Sequence, residues 1–445
     1  MREAIDSHSS PAMNAQRSEA FERFAATGFP SRKAERYRYT DIDALFAPDY
    51  GINLNRLAIP VNTKDVFSCN VPNLSTRLYF MANDEFFRSD RQEVSSTSTL
   101  SSPQKGEIVV GSLRELTKSG STLADRLTEC YNRLAVSDAD GVTALNTMLA
   151  QDGLAVYVPR GVHAEGTIQV INLLRSDVDL MVNRRVLIVV EEDAEARLLL
   201  CDHAIDDHRF LATQVTEAFV GEHAHLDLYC MEETHAKSTR VSNVYIRQEA
   251  GSLLRHNIIT LHNGTTRNML RIDLAGEGAE CQSCGCVIAD KQQHADNNTL
   301  ITHHAPHCTS NQLYKYVLDG EATGAFAGRV LVKPGAQKTS SQMTNQNLTA
   351  TDKARMYTQP MLEIYADDVK CAHGSTVGQL NDAAMFYMQQ RGISRKEARM
   401  LLENAFVGEV IDRIELAPLR DRLHYLVEKR LRGELQKCEG CNMCR

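Results

Sequence analysis

The chain has 445 residues, a formal net charge of -8 and a pI near 6.0. That exceeds one ordinary domain of roughly 100 to 200 residues, and the acidic balance, without a basic stripe or polybasic tract, argues against nucleic-acid and membrane-surface partners. The N-terminal "MREAIDSHSSPAMNAQR" lacks an apolar core and no apolar run reaches the roughly 18 to 20 residues of a membrane span, so a soluble, cytoplasmic protein is expected, with its twelve cysteines as thiols, metal ligands or redox groups rather than a disulfide framework.

Residues 16–28, "QRSEAFERFAATG", have helix spacing, with Phe21, Phe24 and Ala25 on one stripe and Gly28 and Pro30 placed to end the helix. The run "SSTSTLSS" at 95–102 reads as a polar surface loop. After Ser121 the segment "TLADRLTECYNRL" returns to helix spacing through Leu123, Leu127, Cys130, Tyr131 and Leu134. Residues 1–150 are therefore expected to form a mixed, largely helical region.

Residues 151–380 change texture to short β-rich runs such as "GTIQVINLL", "RVLIVV", "HLDLYC" and "RVLVKPG". Compact turns of one flavour separate them: "EEDAEA", "GEHAHL", "QEAGSL" and "GEGAEC". These recur at intervals of roughly 27 to 30 residues, the range of stacked repeats. A parallel β-helix fits best; a β-sandwich or barrel is the rival. The lack of a helix after each strand argues against a doubly wound α/β sheet.

Helix resumes after Leu380. Asn381 can cap "DAAMFYMQQR", Gly392 can end it, and Ser394 with Glu397 forms a capping box for "RKEARMLLENAFVGEVIDRI". Pro418 opens a third helix that Gly433 closes. An apolar stripe of Leu401, Leu402, Ala405, Phe406 and Val410 is expected to cover either the end of the solenoid or a partner. The helical region spans 381–437, and a cysteine-rich tail, "CEGCNMCR", fills 438–445.

Four groups of residues have ligand chemistry. In "DDVKCAHGSTVGQL", Cys371 and His373 lie two apart on a strand and so project to one side, as half of an iron, iron-sulfur or zinc site or as ordinary packing residues. "THHAPHCTS" concentrates His303, His304, His307 and Cys308 at a turn, where a metal corner and a self-bonded polar corner are both open. In "CQSCGC", Cys284 and Cys286 share one face and Cys281 the other, which favours packing. Cys438, Cys441 and Cys444 have spacing that recurs in iron-sulfur and zinc sites, although a fourth ligand is missing from the tail. There is no phosphate-binding G-x-x-x-x-G-K-S/T, no G-x-S-x-G and no H-E-x-x-H, so nucleotide hydrolysis by this chain is not expected.

The segments "ADDVKCAHGSTVGQL" and "MFYMQQRGISRKEARMLLENAFVGEVIDRI", with the upstream "HHAPHCTSNQLYKYVLDGEATGAFAGRVLVKPGAQKTSSQMTNQNL", resemble the SufB/SufD family of iron-sulfur cluster assembly scaffold proteins. "KCAHGST" and "GFPSRKAERYRYTDI" are similar to the SufD branch. The resemblance implies a right-handed parallel β-helix between helical regions and a non-enzymatic scaffold that pairs with SufB and recruits the ATPase SufC. It also implies that a transient iron-sulfur cluster or iron at the SufB interface is held by His373, with Cys371 beside it, and completed by SufB. The surface around Phe386, Tyr387, Arg391, Leu401, Leu402 and Phe406 then becomes the docking site for SufC. A homodimer in the absence of SufB is open. Flavin on the assembled complex is implied loosely, without a dinucleotide motif here. The tail cysteines are not part of the resemblance and form a separate expectation, an auxiliary thiol or metal arm. The alternatives are a purely structural subunit that recruits SufC, and a carbohydrate-active β-helix enzyme, which the lack of an export signal disfavours.

Overall fold

The computed structural model describes residues 1–61, 71, 74, 76–87, 106–118, 120–137 and 140–434. From Gly153–Val158 to Lys370–Gly378, successive strands alternate between two sheets and each pairs in parallel with the strand two places on. This is a β-solenoid of about eight turns. Partners in adjacent rungs lie between 26 residues apart, as for Thr239 with Thr265, and 32 apart, as for Thr323 with Arg355. Parallel pairing in every rung rules out the sandwich, whose sheets are built from antiparallel strands.

The repeated turns are one corner seen many times. Asp193, His223, Gly251, Gly278, His307 and Lys338 each take a left-handed conformation, with φ between 54° and 71°. Polar or glycine side chains tolerate that conformation where β-branched ones would not. The next residue, Ala194, Ala224, Ser252, Ala279, Cys308 or Thr339, turns inward and is no more than 1% exposed, because the bend leaves room only for a small side chain. Corner backbones bond along the stack: Asp193 N–H donates to Glu222 C=O at 2.9 Å, His223 to Ala250 at 2.8 Å and His307 to Gln337 at 2.9 Å. "HHAPHCT" is therefore the same corner in a less recognisable spelling.

Inside, alternate residues from both sheets form one continuous apolar core that includes Leu198, Ile246, Leu270, Val287 and Val330. At the N-terminal end, Thr76–Ala82 adds to Thr167–Leu174 and folds back on Glu85–Phe87, while Val109–Ser112 pairs antiparallel with Gly153–Val158. Antiparallel strands thus close both sheet edges at that end.

Helices α1 (Arg17–Thr27), α2 (Thr122–Cys130) and α3 (Gly141–Leu149) lie in the N-terminal part. The expected stripe of α1 is not its buried face: Phe21 is 59% exposed and Ala25 is exposed, whereas Arg17 and Ala20 are buried. The Arg17 guanidinium reaches the last carbonyls of α3, donating to Thr147 and Met148 at 3.2 and 2.6 Å and to Ala150 at 2.8 Å. A buried cation on orphan carbonyls therefore sets how α1 docks. Helix α2 ends at Cys130, short of the expected Leu134, because Asn132 turns left-handed and the N–H groups of Asn132, Leu134 and Ala135 donate to the buried Glu217 carboxylate. The run 95–102 lies outside the described residues.

Helices α4 (Asp382–Gln390), α5 (Arg395–Ile411) and α6 (Ala417–Arg432) have the expected caps at Asn381, Ser394 and Gly433. Their position corrects the end-cap alternative. Val407, Val410, Ile411, Leu419, Leu423 and Val427 pack on Tyr229, Met231, Cys284, Cys286 and Leu313, the outer flank of one sheet. The buried face of α5 is centred on Val407 and Ile411, while Leu401 and Ala405 point to solvent. Among the described residues, no strand is added to the last rung of the solenoid.

Candidate functional site

That rung consists of Arg355–Ile364 at the edge of one sheet and Lys370–Gly378 at the edge of the other; among the described residues neither has a further strand beyond it. An edge strand carries unpaired backbone N–H and C=O groups that another strand can pair with. Tyr365, Val377 and Ile364 are 61, 48 and 40% exposed here, whereas Val332 and Asn347, which pair with Ile364 and Val377 one rung inward, are 0 and 2% exposed; Tyr357 faces outward and stacks on Tyr39 with ring centres 4.7 Å apart. The open end is thus a broken-off interior, with apolar side chains and bare strand edges together.

Cys371 and His373 sit in this rung in register with Ser341 and Met343. Their side of the strand is the interior side: Cys371 packs on the solenoid core, and Met343 beneath His373 is fully buried. Burial pushes the Cys371 thiol up, against a backbone hydrogen bond at Ser341 that lowers it, so binding a metal there requires proton release and strengthens with pH. His373 is exposed and makes no hydrogen bond to any described residue. Beside it Thr358 donates to Asn345 Oδ1 at 2.8 Å and meets Ser375 Oγ at 2.6 Å, while Asn347 and Asn345 bond each other at 2.7 and 3.1 Å. This polar plug closes the core beneath the rim and holds the strand that carries the two ligand-type side chains. Among the described residues no group of three or more His, Cys, Asp and Glu side chains is placed to hold a metal ion.

The other candidates separate in space. His303 is buried with Nε2 2.9 Å from Ser310 Oγ, His304 pairs with Asp273 at 3.1 Å on the surface, His307 lies 4.0 Å from Glu277, and Cys308 donates to Gly276 C=O. Cys281 belongs to the interior core, and Cys284 and Cys286 lie under the C-terminal helices. Burial raises all three thiols, Cys284 to about 11 and Cys286 to about 12, so they stay protonated and inert. Cys438, Cys441 and Cys444 lie outside the described residues.

On the C-terminal helices, Phe386 and Tyr387 are 63 and 59% exposed, with the Arg391 guanidinium 5.0 Å from the Tyr387 ring centre. Leu401 is exposed and Leu402 half-buried. Phe406 instead serves the intramolecular contact, since it packs against the flank with Lys315 Nζ 4.5 Å from its ring centre. Sequence inspection did not find Asn345, Thr358, Ser375 or the exposed Tyr357 and Tyr365. Their strands read like any other rung, and only the onset of α4 at Asp382 marks where stacking stops.

Residues 173–406 match the family model described as "SUF system FeS cluster assembly, SufBD core domain", and residues 1–170 match "SufBD protein N-terminal region". An iron-sulfur cluster assembly SufBD family protein of Synechocystis is 29% identical over 415 residues, covering 90% of this chain and 87% of that protein. The iron-sulfur cluster assembly protein SufD of Escherichia coli is 34% identical over 210 residues, 47% of this chain and 45% of its own. SufD of Bacillus subtilis is 23% identical over 297 residues, covering 66% and 68%.

Proposed function

The chain belongs to the SufB/SufD family of SUF-system iron-sulfur cluster assembly proteins, on its SufD-like branch, and from that membership we propose that it is a non-catalytic scaffold subunit. It pairs through its open rung with a SufB-type paralogue, and a nascent iron-sulfur cluster, the cargo of the assembly, forms at that junction. His373 supplies a ligand from this side and Cys371 an adjacent thiol; the facing subunit supplies the rest. The observation that carries this reading is the position of Cys371 and His373 on a free solenoid rim, where two ligand-type side chains stand among unpaired strand edges and exposed apolar residues. A mixed and split ligand set suits a cluster that must be passed on, because separating the two surfaces removes ligands from it.

A SufC-type ATPase docks on α4 and α5 around Phe386, Tyr387, Arg391, Leu401 and Leu402, with Phe406 holding that surface to the solenoid. ATP hydrolysis belongs to that partner, in keeping with the lack of a phosphate-binding motif in this sequence. Assembly takes place in the cytoplasm. The tail cysteines serve as an auxiliary thiol arm, and removing the residues after Gln436 should lower metal content or cluster yield; equal values with and without the tail would exclude such a role.

The primary test is iron and acid-labile sulfide per complex after anaerobic coexpression with the SufB- and SufC-type partners and a sulfur donor. His373→Ala is expected to leave the complex assembled and to strip its cluster. Undiminished iron and sulfide in an assembled variant would reduce this chain to a structural subunit that recruits the ATPase.

A further inference from the structure

The solenoid interior is not uniformly apolar. Around its middle rungs Arg184 Nη1 donates to Asp202 Oδ1 at 2.7 Å, and Arg240 Nε lies 3.0 Å from Asp202 Oδ2. Arg240 Nη1 donates to Asn268 Oδ1 at 2.7 Å, Asn268 Nδ2 to Asn297 Oδ1 at 2.9 Å, and Asn297 Nδ2 to Tyr316 Oη at 2.6 Å. These residues are all buried and make a hydrogen-bonded seam along the lumen.

Beside the seam lies a cavity of about 20 Å³ lined in part by Gln214, Cys230, Arg240, Ser242 and His256. Besides Arg240 Nε, which faces Asp202 in an ion pair, four polar atoms on its lining residues have no protein partner: Gln214 Oε1, Ser242 Oγ and both ring nitrogens of His256. The three residues are 4, 1 and 2% exposed. Buried polar groups left unpaired cost roughly 1 to 3 kcal/mol each, so such a concentration demands a ligand.

We propose that this lumen cavity is a binding site for internal water, one or two molecules that hydrogen-bond His256 and bridge it to Ser242 and Gln214 across the two sheets. The volume exceeds the roughly 10 to 15 Å³ that a water molecule needs. Ligand chemistry selects water over an anion. Burial lowers the His256 pKa to about 4, so the ring is neutral and presents one donor and one acceptor. Water matches both kinds of group, whereas a halide or similar monoanion only accepts. The nearby guanidiniums of Arg184 and Arg240 both face Asp202, and Gln214 Oε1, an acceptor only, has nothing to offer an anion. No role in cluster assembly is needed for this inference, which stands apart from the proposed function.

A crystal structure of the full chain at a resolution that orders water, with a parallel bromide soak, is the test, supported by oxygen-17 relaxation dispersion in solution. Density for water within about 3.2 Å of a His256 ring nitrogen is expected, with one or two long-lived waters lost from the dispersion in His256→Phe. Direct protein hydrogen bonds to both ring nitrogens in a collapsed lumen would overturn the proposal. So would an anomalous bromide peak at the site. If His256→Phe does not fold, the wild-type crystal alone decides.

Discussion

Replacing Arg430 with Met probes whether the C-terminal helices are held to the solenoid by one polar tether as well as by apolar contact. Arg430 is 7% exposed near the end of α6; its Nε donates to Leu261 C=O at 2.6 Å and its Nη atoms donate to Asp290 at 2.9 and 3.0 Å and to Gln293 Oε1 at 3.0 Å. Methionine keeps much of the aliphatic stem and removes all four bonds. A hydrogen bond to a charged group contributes about 1.5 to 3 kcal/mol, but the four bonds of one guanidinium do not add and Asp290, 32% exposed, can recover water, so the net loss should be about 2 kcal/mol. Burial of Val407, Val410, Ile411, Leu419, Leu423 and Val427 contributes roughly 1.5 to 3 kcal/mol each, and the helices therefore stay docked. What changes is local opening: 2 kcal/mol corresponds to about a 30-fold faster amide exchange in α6. Hydrogen exchange by mass spectrometry should show that rise in 417–432 and none in the rungs before Leu226. A change below about fivefold, or an equal rise throughout the chain, would refute the tether. The effect also has a pH signature. Burial raises the Asp290 pKa, but the Arg430 hydrogen bonds and charge outweigh it and hold the carboxylate below its ordinary value. A depressed pKa contributes stability that is present above the unfolded value of about 3.9 and is lost as pH falls through the folded value. Wild-type α6 should therefore loosen below about pH 4 more than Arg430→Met does.

Glu217→Ala leaves three backbone N–H groups of the 131–135 turn without an acceptor and strips Arg185, 1% exposed, of its 2.9 Å partner. Breaking a buried pair in this way should cost about 3 to 5 kcal/mol, read as a lower urea midpoint; a midpoint within error of wild type would show that the turn is held elsewhere. Alkylation at pH 8 followed by peptide mass spectrometry should modify Cys371 in the native chain and spare Cys281, Cys284 and Cys286, whose thiols are buried and raised in pKa. Labelling of those three at the Cys371 rate would contradict the packing described here.

The repeat and the helix ends were legible in the sequence because both depend on local chemistry. A corner that needs a left-handed residue followed by a small one writes itself as "EDAE", "EHAH" and "EAGS" at nearly constant intervals, and Asn381, Ser394 and Gly433 act within a single turn of chain. Cys371 and His373 were legible as a pair for the same reason, since strand alternation alone puts residues two apart on one side. The tertiary structure alone decided what surrounds them. Whether the C-terminal helices lay over the end of the solenoid or along its flank depended on which apolar surface was left uncovered, and the surface they cover is the flank formed by Tyr229, Met231, Cys284 and Leu313. Buried charges decided the rest. Arg17, Glu217 and Arg430 each bond groups more than 80 residues away, and no periodicity in the sequence records a partner at that distance. The open rim on which Cys371 and His373 stand is a property of where stacking ends, set by long-range packing rather than by the residues on the rim.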